Sequence, residues 1–228
     1  MISEIVSGAI SIYLVQQFFS FEHHSDLVTY FSRQRFPDRI ENNNKARPKL
    51  RVHIAGDSVG AGIGSSSQEK SFAGLIAQHF KDFDLILTNS SRPGATTTHV
   101  AHKQLVREPL DWAFVIVSTN DVWRLKKAEE LKNNLQIILD HYSSQAKRVV
   151  FVGPAHLSSA RAIPHLGRLF YALILPWYRK HVRETAEKYP NLTYLEPTYP
   201  AQQHFAPDKF HPNDLGYAHW FSVMKRSL

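Results

Sequence analysis

An α/β fold built on a parallel sheet is what this sequence predicts, on three observations. From residue 50 onward, short apolar runs at 51–55, 84–88, 113–118, 148–152 and 192–195 read as strands. Between and after them lie stretches of helical character at about 70–81, 95–107, 126–143, 176–189 and 213–226. Strands separated by helices call for crossover connections, which put helices on both faces of a parallel sheet. Third, the chain has 228 residues, of which 43% are hydrophobic and 21% charged, a length and balance that suit one globular domain with a sizeable core.

Ahead of the alternating pattern, residues 1–21 carry Ile2, Ile5, Val6, Ala9, Ile10, Tyr13, Leu14, Phe18 and Phe21 on one helical face. Glu4 precedes the apolar run where a secretory signal would want basic residues. Ser7, Ser11, Gln16 and Gln17 interrupt what would otherwise be a membrane span. The segment therefore reads as a helix packed on the domain or lying on a membrane surface, since Ile12, Val15 and Phe19 widen its apolar face. A second helix is expected near Ser25 to Gln34, and the polar stretch Glu41 to Lys49 reads as a loop.

The chain contains no cysteine, which excludes disulfides and thiolate metal sites and fits a reducing, cytoplasmic setting. Its net charge of +7 is uneven: residues 121–190 hold 12 Lys/Arg against 6 Asp/Glu. Such a surplus could meet an anionic lipid, an acidic substrate or nucleic acid, or be a solvated basic face, the reading preferred here. No nucleic-acid partner is expected.

In open parallel sheets, ligands bind beyond the carboxyl ends of the strands. After the first strand comes Gly56-Asp57-Ser58 and a glycine-rich turn running to Gly64. A serine on such a turn is held with its hydroxyl outside the sheet, placed as a nucleophile if the chain supplies a base, an orienting acid and oxyanion donors. After the second strand, Gly94 precedes a helix and offers an unobstructed N–H, although in isolation it reads as a loop glycine. After the third, Ser118-Thr119-Asn120-Asp121 brings an amide and a carboxylate to the same edge, residues that also serve as helix caps. Near the end, Asp208 stands three residues ahead of His211, so the acid can fold back onto one ring nitrogen and leave the other to a serine.

Taken together and in this order, the four blocks resemble those of the SGNH (GDSL) hydrolases. Gly56-Asp57-Ser58 is similar to the nucleophile block, Gly94 to the glycine block, Asn120-Asp121 to the asparagine block and Asp208-x-x-His211 to the acid–base block. The resemblance covers roughly residues 50–225. It divides the chain into a helical N-terminal extension, 1–49, and a hydrolase domain, 50–228. One departure stands out: the family's third block is usually Gly-x-Asn-Asp, and Ser118 replaces that glycine. The resemblance implies a three-layer α/β/α, flavodoxin-like sandwich on a five-stranded parallel sheet in the order 2-1-3-4-5. It implies Ser58 as nucleophile, His211 as base and Asp208 as the residue orienting it. The oxyanion hole would be the Ser58 and Gly94 N–H groups with the Asn120 amide. The activity implied is cleavage of carboxylic esters, lipid-like or other acyl esters, without metal or cofactor. Acyl transfer and thioester cleavage by the same residues are alternatives, and a non-enzymatic membrane- or nucleic-acid-binding module is a more distant one.

Other motif readings fit less well. Gly56 to Gly60 satisfies the G-x-S-x-G elbow of α/β-hydrolases, but there several strands precede the serine and its acid and histidine stand far apart. A dinucleotide fingerprint starting at Gly60 or Gly62 would need glycine at Ser65 or Ser67. His99 and His102 lack the companions of a metal site and read as helix-surface residues. Finally, residues 154–180 form a long apolar insertion after the fourth strand. It reads as one helix packed on the core or as an acyl-chain wall, with Leu166, Phe170, Leu173 and Trp177 as substrate contacts and Arg161, Arg168, Arg179 and Lys180 toward an anionic head group or membrane surface. A small-molecule ester is the expected partner.

Overall fold

The computed structural model describes residues 25–197 and 201–228. The amphipathic helix expected over 1–21 lies outside the described residues. Six strands form one sheet: β1 (Arg39–Glu41), β2 (Lys49–Gly56), β3 (Asp84–Asn89), β4 (Leu110–Ile116), β5 (Ala146–Val152) and β6 (Leu192–Leu195), in the order β1-β3-β2-β4-β5-β6. The last five are parallel to their neighbours, and taken alone they follow the expected 2-1-3-4-5 order. The sixth strand corrects the expectation. β1 runs antiparallel on the edge, pairing Arg39 with Thr88 and Glu41 with Ile86. Three residues are too few for a period-2 pattern, so nothing in Arg-Ile-Glu announces a strand. Part of the segment read as a helical extension thus belongs to the sheet itself.

Seven helices are described: α1 over 25–31, α2 (Phe72–His79), α3 (Thr97–Lys103), α4 (Thr119–Trp123), α5 (Ala128–Gln145), α6 (His165–Ala186) and α7 (Asp214–Met224). The sheet separates two cores. On one side Val52, Ile54, Leu87 and Phe114 pack against Phe72 and Ile76 of α2 and Trp220 of α7. On the other, Ala113, Val115 and Phe151 pack against Leu135 and Ile138 of α5 and Leu175 and Val182 of α6. Central strands apolar on both faces are what a doubly covered parallel sheet requires.

Local signals start the helices that matter for the site. Ser71 caps α2 by accepting from the Gly74 N–H, and Asn213 caps α7 by accepting from the Gly216 N–H. Glu129 and Glu130 sit in the first turn of α5, where the helix dipole favours negative charge. α6 is longer than its sequence suggests: it begins at His165 and continues through Pro176. Among the described residues no helix is long and apolar enough to cross a membrane.

Candidate active site

β2 ends at Gly56, where the chain comes so close to β4 that a Cβ would meet the Ile116 carbonyl oxygen at 2.0 Å. Only glycine fits there. Past it the chain winds into a tight turn, held by the Ala61 N–H on the Asp57 carbonyl and the Ile63 N–H on the Ser58 carbonyl, each at 3.0 Å. This winding sets the Ser58 hydroxyl at the carboxyl edge of the sheet.

The partner arrives from the other end of the chain, 153 residues away. Residues 205–212 form a compact turn: Phe205 bridges to Pro212, and the Ala206 N–H donates to the His211 carbonyl at 2.8 Å. Within it Asp208 folds back, accepting from the Phe210 and His211 N–H groups on Oδ1 at 2.9 and 3.0 Å and contacting His211 Nδ1 with Oδ2 at 2.6 Å. The opposite ring nitrogen, Nε2, lies 3.0 Å from Ser58 Oγ. Burial alone would raise the Asp208 carboxyl, but the His211 ring and the two backbone donors hold it below its ordinary value. Ser58, His211 and Asp208 are all buried. With Nδ1–H donating to Asp208, Nε2 is the free acceptor for the serine proton.

The N–H groups of Ser58 and Gly94 donate to no acceptor among the described residues. Gly94 adopts φ 74°, in the left-handed region, and lines the same cavity as Ser58, Asn120 and His211. Asn120 stands in the first turn of α4, one amide hydrogen engaged with the Ala95 carbonyl at 3.0 Å and the other unassigned among the described residues. Ser118, which replaces the resembling family's glycine, keeps a φ of 95°, and its hydroxyl is buried without a partner among the described residues. The left-handed backbone here is thus carried by a serine, at a cost in strain. The adjacent Asp121 accepts from the Thr97 N–H at 3.0 Å and the Thr97 hydroxyl at 2.7 Å, tying α4 to the start of α3. Asp57, beside the serine, is buried; burial pushes its carboxyl up to about 7 against the opposing Val59 N–H.

Two cavities meet at Ser58. The larger, of about 220 Å³, is lined by Val28, Trp123, Ile163 and Phe210 among others; the smaller, of about 30 Å³, reaches Ala155, Leu157, Ala160 and Phe205. α1 contributes to the larger one, and Gln34 just after it bonds to the Gly64 N–H and the Ser65 carbonyl. The segment ahead of residue 50 thus shapes the site.

The substrate contacts expected on α6 are corrected. Leu166, Phe170, Leu173 and Trp177 line neither cavity and lie exposed on the outer face of the helix. The inner face is taken by Tyr171, Leu175, Tyr178 and Val182, because their apolar bodies meet the core while the two tyrosine hydroxyls reach the Trp123 and Lys126 carbonyls at 3.0 and 2.6 Å. Arg179, expected near an anionic head group, is buried instead and donates to the Pro154 and Pro197 carbonyls at 2.9 and 3.0 Å.

Sequence reasoning missed three supporting residues. The Gln104 side chain pairs with both backbone groups of Gly56, accepting at 2.6 Å and donating at 3.0 Å. Asn89 donates to the Gly60 carbonyl at 2.8 Å, and the Tyr217 hydroxyl donates to the Ile63 carbonyl at 2.8 Å. The place of Asn89 at the end of a strand was a signal; Gln104 and Tyr217 had none, since each acts across the fold. His99 and His102 are exposed on α3.

Residues 54–219 match the model of the GDSL-like lipase/acylhydrolase family. No match is found among curated proteins. Among solved structures, the chain is similar to an extracellular lipase from Streptomyces rimosus, with 17% identity, a TM-score of 0.61 and coverage of 78% of this chain and 99% of that one. An acetylxylan esterase from Geobacillus stearothermophilus matches with 17% identity, a TM-score of 0.58 and coverage of 78% and 93%. An α/β hydrolase enzyme from the metagenome of Lake Arreo, Spain, matches with 18% identity, a TM-score of 0.56 and coverage of 74% and 90%. At these identities the structural likeness speaks for the fold. The family match spans most of the sequence, and the chain belongs to the GDSL-like lipase/acylhydrolase family.

Proposed function

We propose that this member of the GDSL-like family is a serine hydrolase of carboxylic esters working through an acyl-enzyme on Ser58. The observation that carries the reading is the hydrogen-bonded line from Asp208 Oδ2 through His211 to Ser58 Oγ, at 2.6 and 3.0 Å. In the first half-reaction Ser58 Oγ attacks the ester carbonyl carbon while its proton passes to His211 Nε2. The oxyanion that forms is met by the Ser58 and Gly94 N–H groups and the Asn120 amide. As the tetrahedral adduct collapses, the C–O bond to the alcohol breaks and His211 returns its proton to that oxygen. Water then repeats the cycle on the acyl–Ser58 ester, releasing the acid. Asp208 stays ionised throughout and holds the imidazole in the tautomer this requires.

The larger cavity supports an acyl group longer than acetyl. A closed apolar cavity of about 150 Å³ admits a benzene-sized molecule, and the cavity at Ser58 is about 220 Å³ with four apolar walls. The smaller one holds no more than a methyl or a water. A panel of chromogenic esters from acetate to octanoate tests this, run beside labelling with a fluorophosphonate. We expect butyrate-to-octanoate esters to turn over fastest and the label to reside on Ser58. A preference for acetate would reassign the acyl group to the smaller cavity, and labelling that survives Ser58→Ala would end the serine-hydrolase reading.

A further inference from the structure

The outer face of α6 has no occupant among the described residues. Leu166, Leu169, Phe170, Leu173 and Trp177 are 57, 51, 45, 79 and 50% exposed, and Leu125, after α4, is 52% exposed. At spacings of three and four, the α6 residues form one stripe over about 16 Å of helix. Scattered exposed leucines are ordinary, but five large apolar groups aligned on one helix are not. The stripe begins three residues after Ile163, which lines the larger cavity with Ser58. Trp123, in the wall of that cavity, stacks on Tyr171 of the same helix at 5.5 Å.

The charges around the stripe are mostly of one sign. Arg161 and Lys180 are exposed at its two ends, and Arg124 and Lys127 flank Leu125. From residue 141 to 183 the chain contains no Asp or Glu and seven Lys/Arg. Of the carboxylates that border this stretch, Glu184 lies in the last turn, 3.9 Å from Lys180, and Glu129 and Glu130 open α5, of which Glu130 is bonded to Lys126. A second copy of this chain fits such a face poorly, because pairing two stripes would set cationic rim against cationic rim. A surface that is apolar within and anionic outside complements it on both counts.

We propose that the outer face of α6, with Leu125, is a docking surface for an anionic lipid bilayer. The apolar stripe enters the headgroup and acyl boundary, Trp177 sits at the interface, and Arg161 and Lys180 meet lipid phosphates. Docking this way brings the larger cavity close to the membrane and directs the hydrolase toward esters presented at a lipid surface. Only that last consequence rests on the proposed function; the binding itself does not involve Ser58.

The test is co-sedimentation of the full-length protein with vesicles of phosphatidylcholine alone or mixed with phosphatidylglycerol. Wild type and Ser58→Ala should sediment alike with the mixed vesicles and weakly with phosphatidylcholine. Leu173→Glu/Trp177→Glu should weaken binding to mixed vesicles by about tenfold or more. Arg161→Glu/Lys180→Glu should erase the preference for phosphatidylglycerol. Both double variants should still hydrolyse a water-soluble short ester at the wild-type rate, which separates lost docking from lost folding or catalysis. Wild-type sedimentation by the Leu173→Glu/Trp177→Glu protein would overturn the proposal. So would a change of its oligomeric mass in light scattering, pointing to a second copy. A drop in its thermal stability without vesicles would also overturn it, since residues 1–24 would then be what covers the stripe.

Discussion

The edge around Ser58 and the helix α6 are opposite ways of using a similar stock of residues. At the edge, polar side chains are buried and engaged: Asp208 takes bonds from two backbone donors and a histidine, and Gln104 satisfies both backbone groups of Gly56. On α6 the polar tips of Tyr171, Tyr178 and Arg179 turn inward to carbonyls while the largest apolar side chains turn out. Buried hydrogen bonds have strict geometry and fix one arrangement. An apolar helix surface has two candidate inner faces, and the choice between them rests on which one lets its polar atoms find partners.

The largest effect that would break this contrast lies at the edge. Ser58→Ala should lower kcat by about 10⁴-fold or more while leaving the melting temperature near wild type, measured by ester hydrolysis and calorimetry. Asn120→Ala should cost about 10²- to 10³-fold in kcat, with a smaller change in KM, because the amide is proposed to act on the transition state. On α6 the contrast is sharpened by a pair of leucines two residues apart. Leu175→Ala, on the inner face, should destabilise by about 2–5 kcal/mol, whereas Leu173→Ala, on the outer face, should stay within about 0.5 kcal/mol in urea unfolding. Equal costs would mean that the outer face is covered.

Smaller effects probe strain and charge beside the serine. Ser118→Gly should stabilise by about 1 kcal/mol, since it relieves a residue held at φ 95° and removes a buried hydroxyl lacking a partner among the described residues. The last is a slope with pH. Burial raises the Asp57 carboxyl from 3.8 to about 7, so between those values the unfolded chain has lost a proton that the folded one keeps. Stability should therefore fall as pH rises from about 4 to about 7, and Asp57→Asn should flatten that slope in unfolding curves. An unchanged slope would place the titrating group elsewhere.

How much of this was legible depends on the reach of each interaction. β2, β3, β5 and β6 lie within about two residues of their expected bounds, since each is built on a short apolar run that the sequence displays. β1 was not legible, because an edge strand of three residues is specified by the backbone of β3 rather than by its own side chains. The acid–base block could be read because Asp208 and His211 are near neighbours and bond within one turn. The oxyanion candidates Gly94 and Asn120 could be named only through the family resemblance, as each alone reads equally well as a loop or cap residue. On α6, the apolar insertion was read as a wall for substrate through Leu166, Phe170, Leu173 and Trp177, and its composition could not say that the helix would turn these residues outward.

By itself, then, the sequence determined the α/β alternation, the chain order of the four blocks and the local fold of Asp208 onto His211. These rest on contacts within a few residues or on patterns repeated along an element. Tertiary structure alone decided that His211 Nε2 meets Ser58 across 153 residues, that Gln104 and Tyr217 brace the turn, and that α6 turns its apolar stripe to solvent. The reason is that burying one face rather than another is settled by the packing and hydrogen bonding of the whole domain, to which no single segment holds the key.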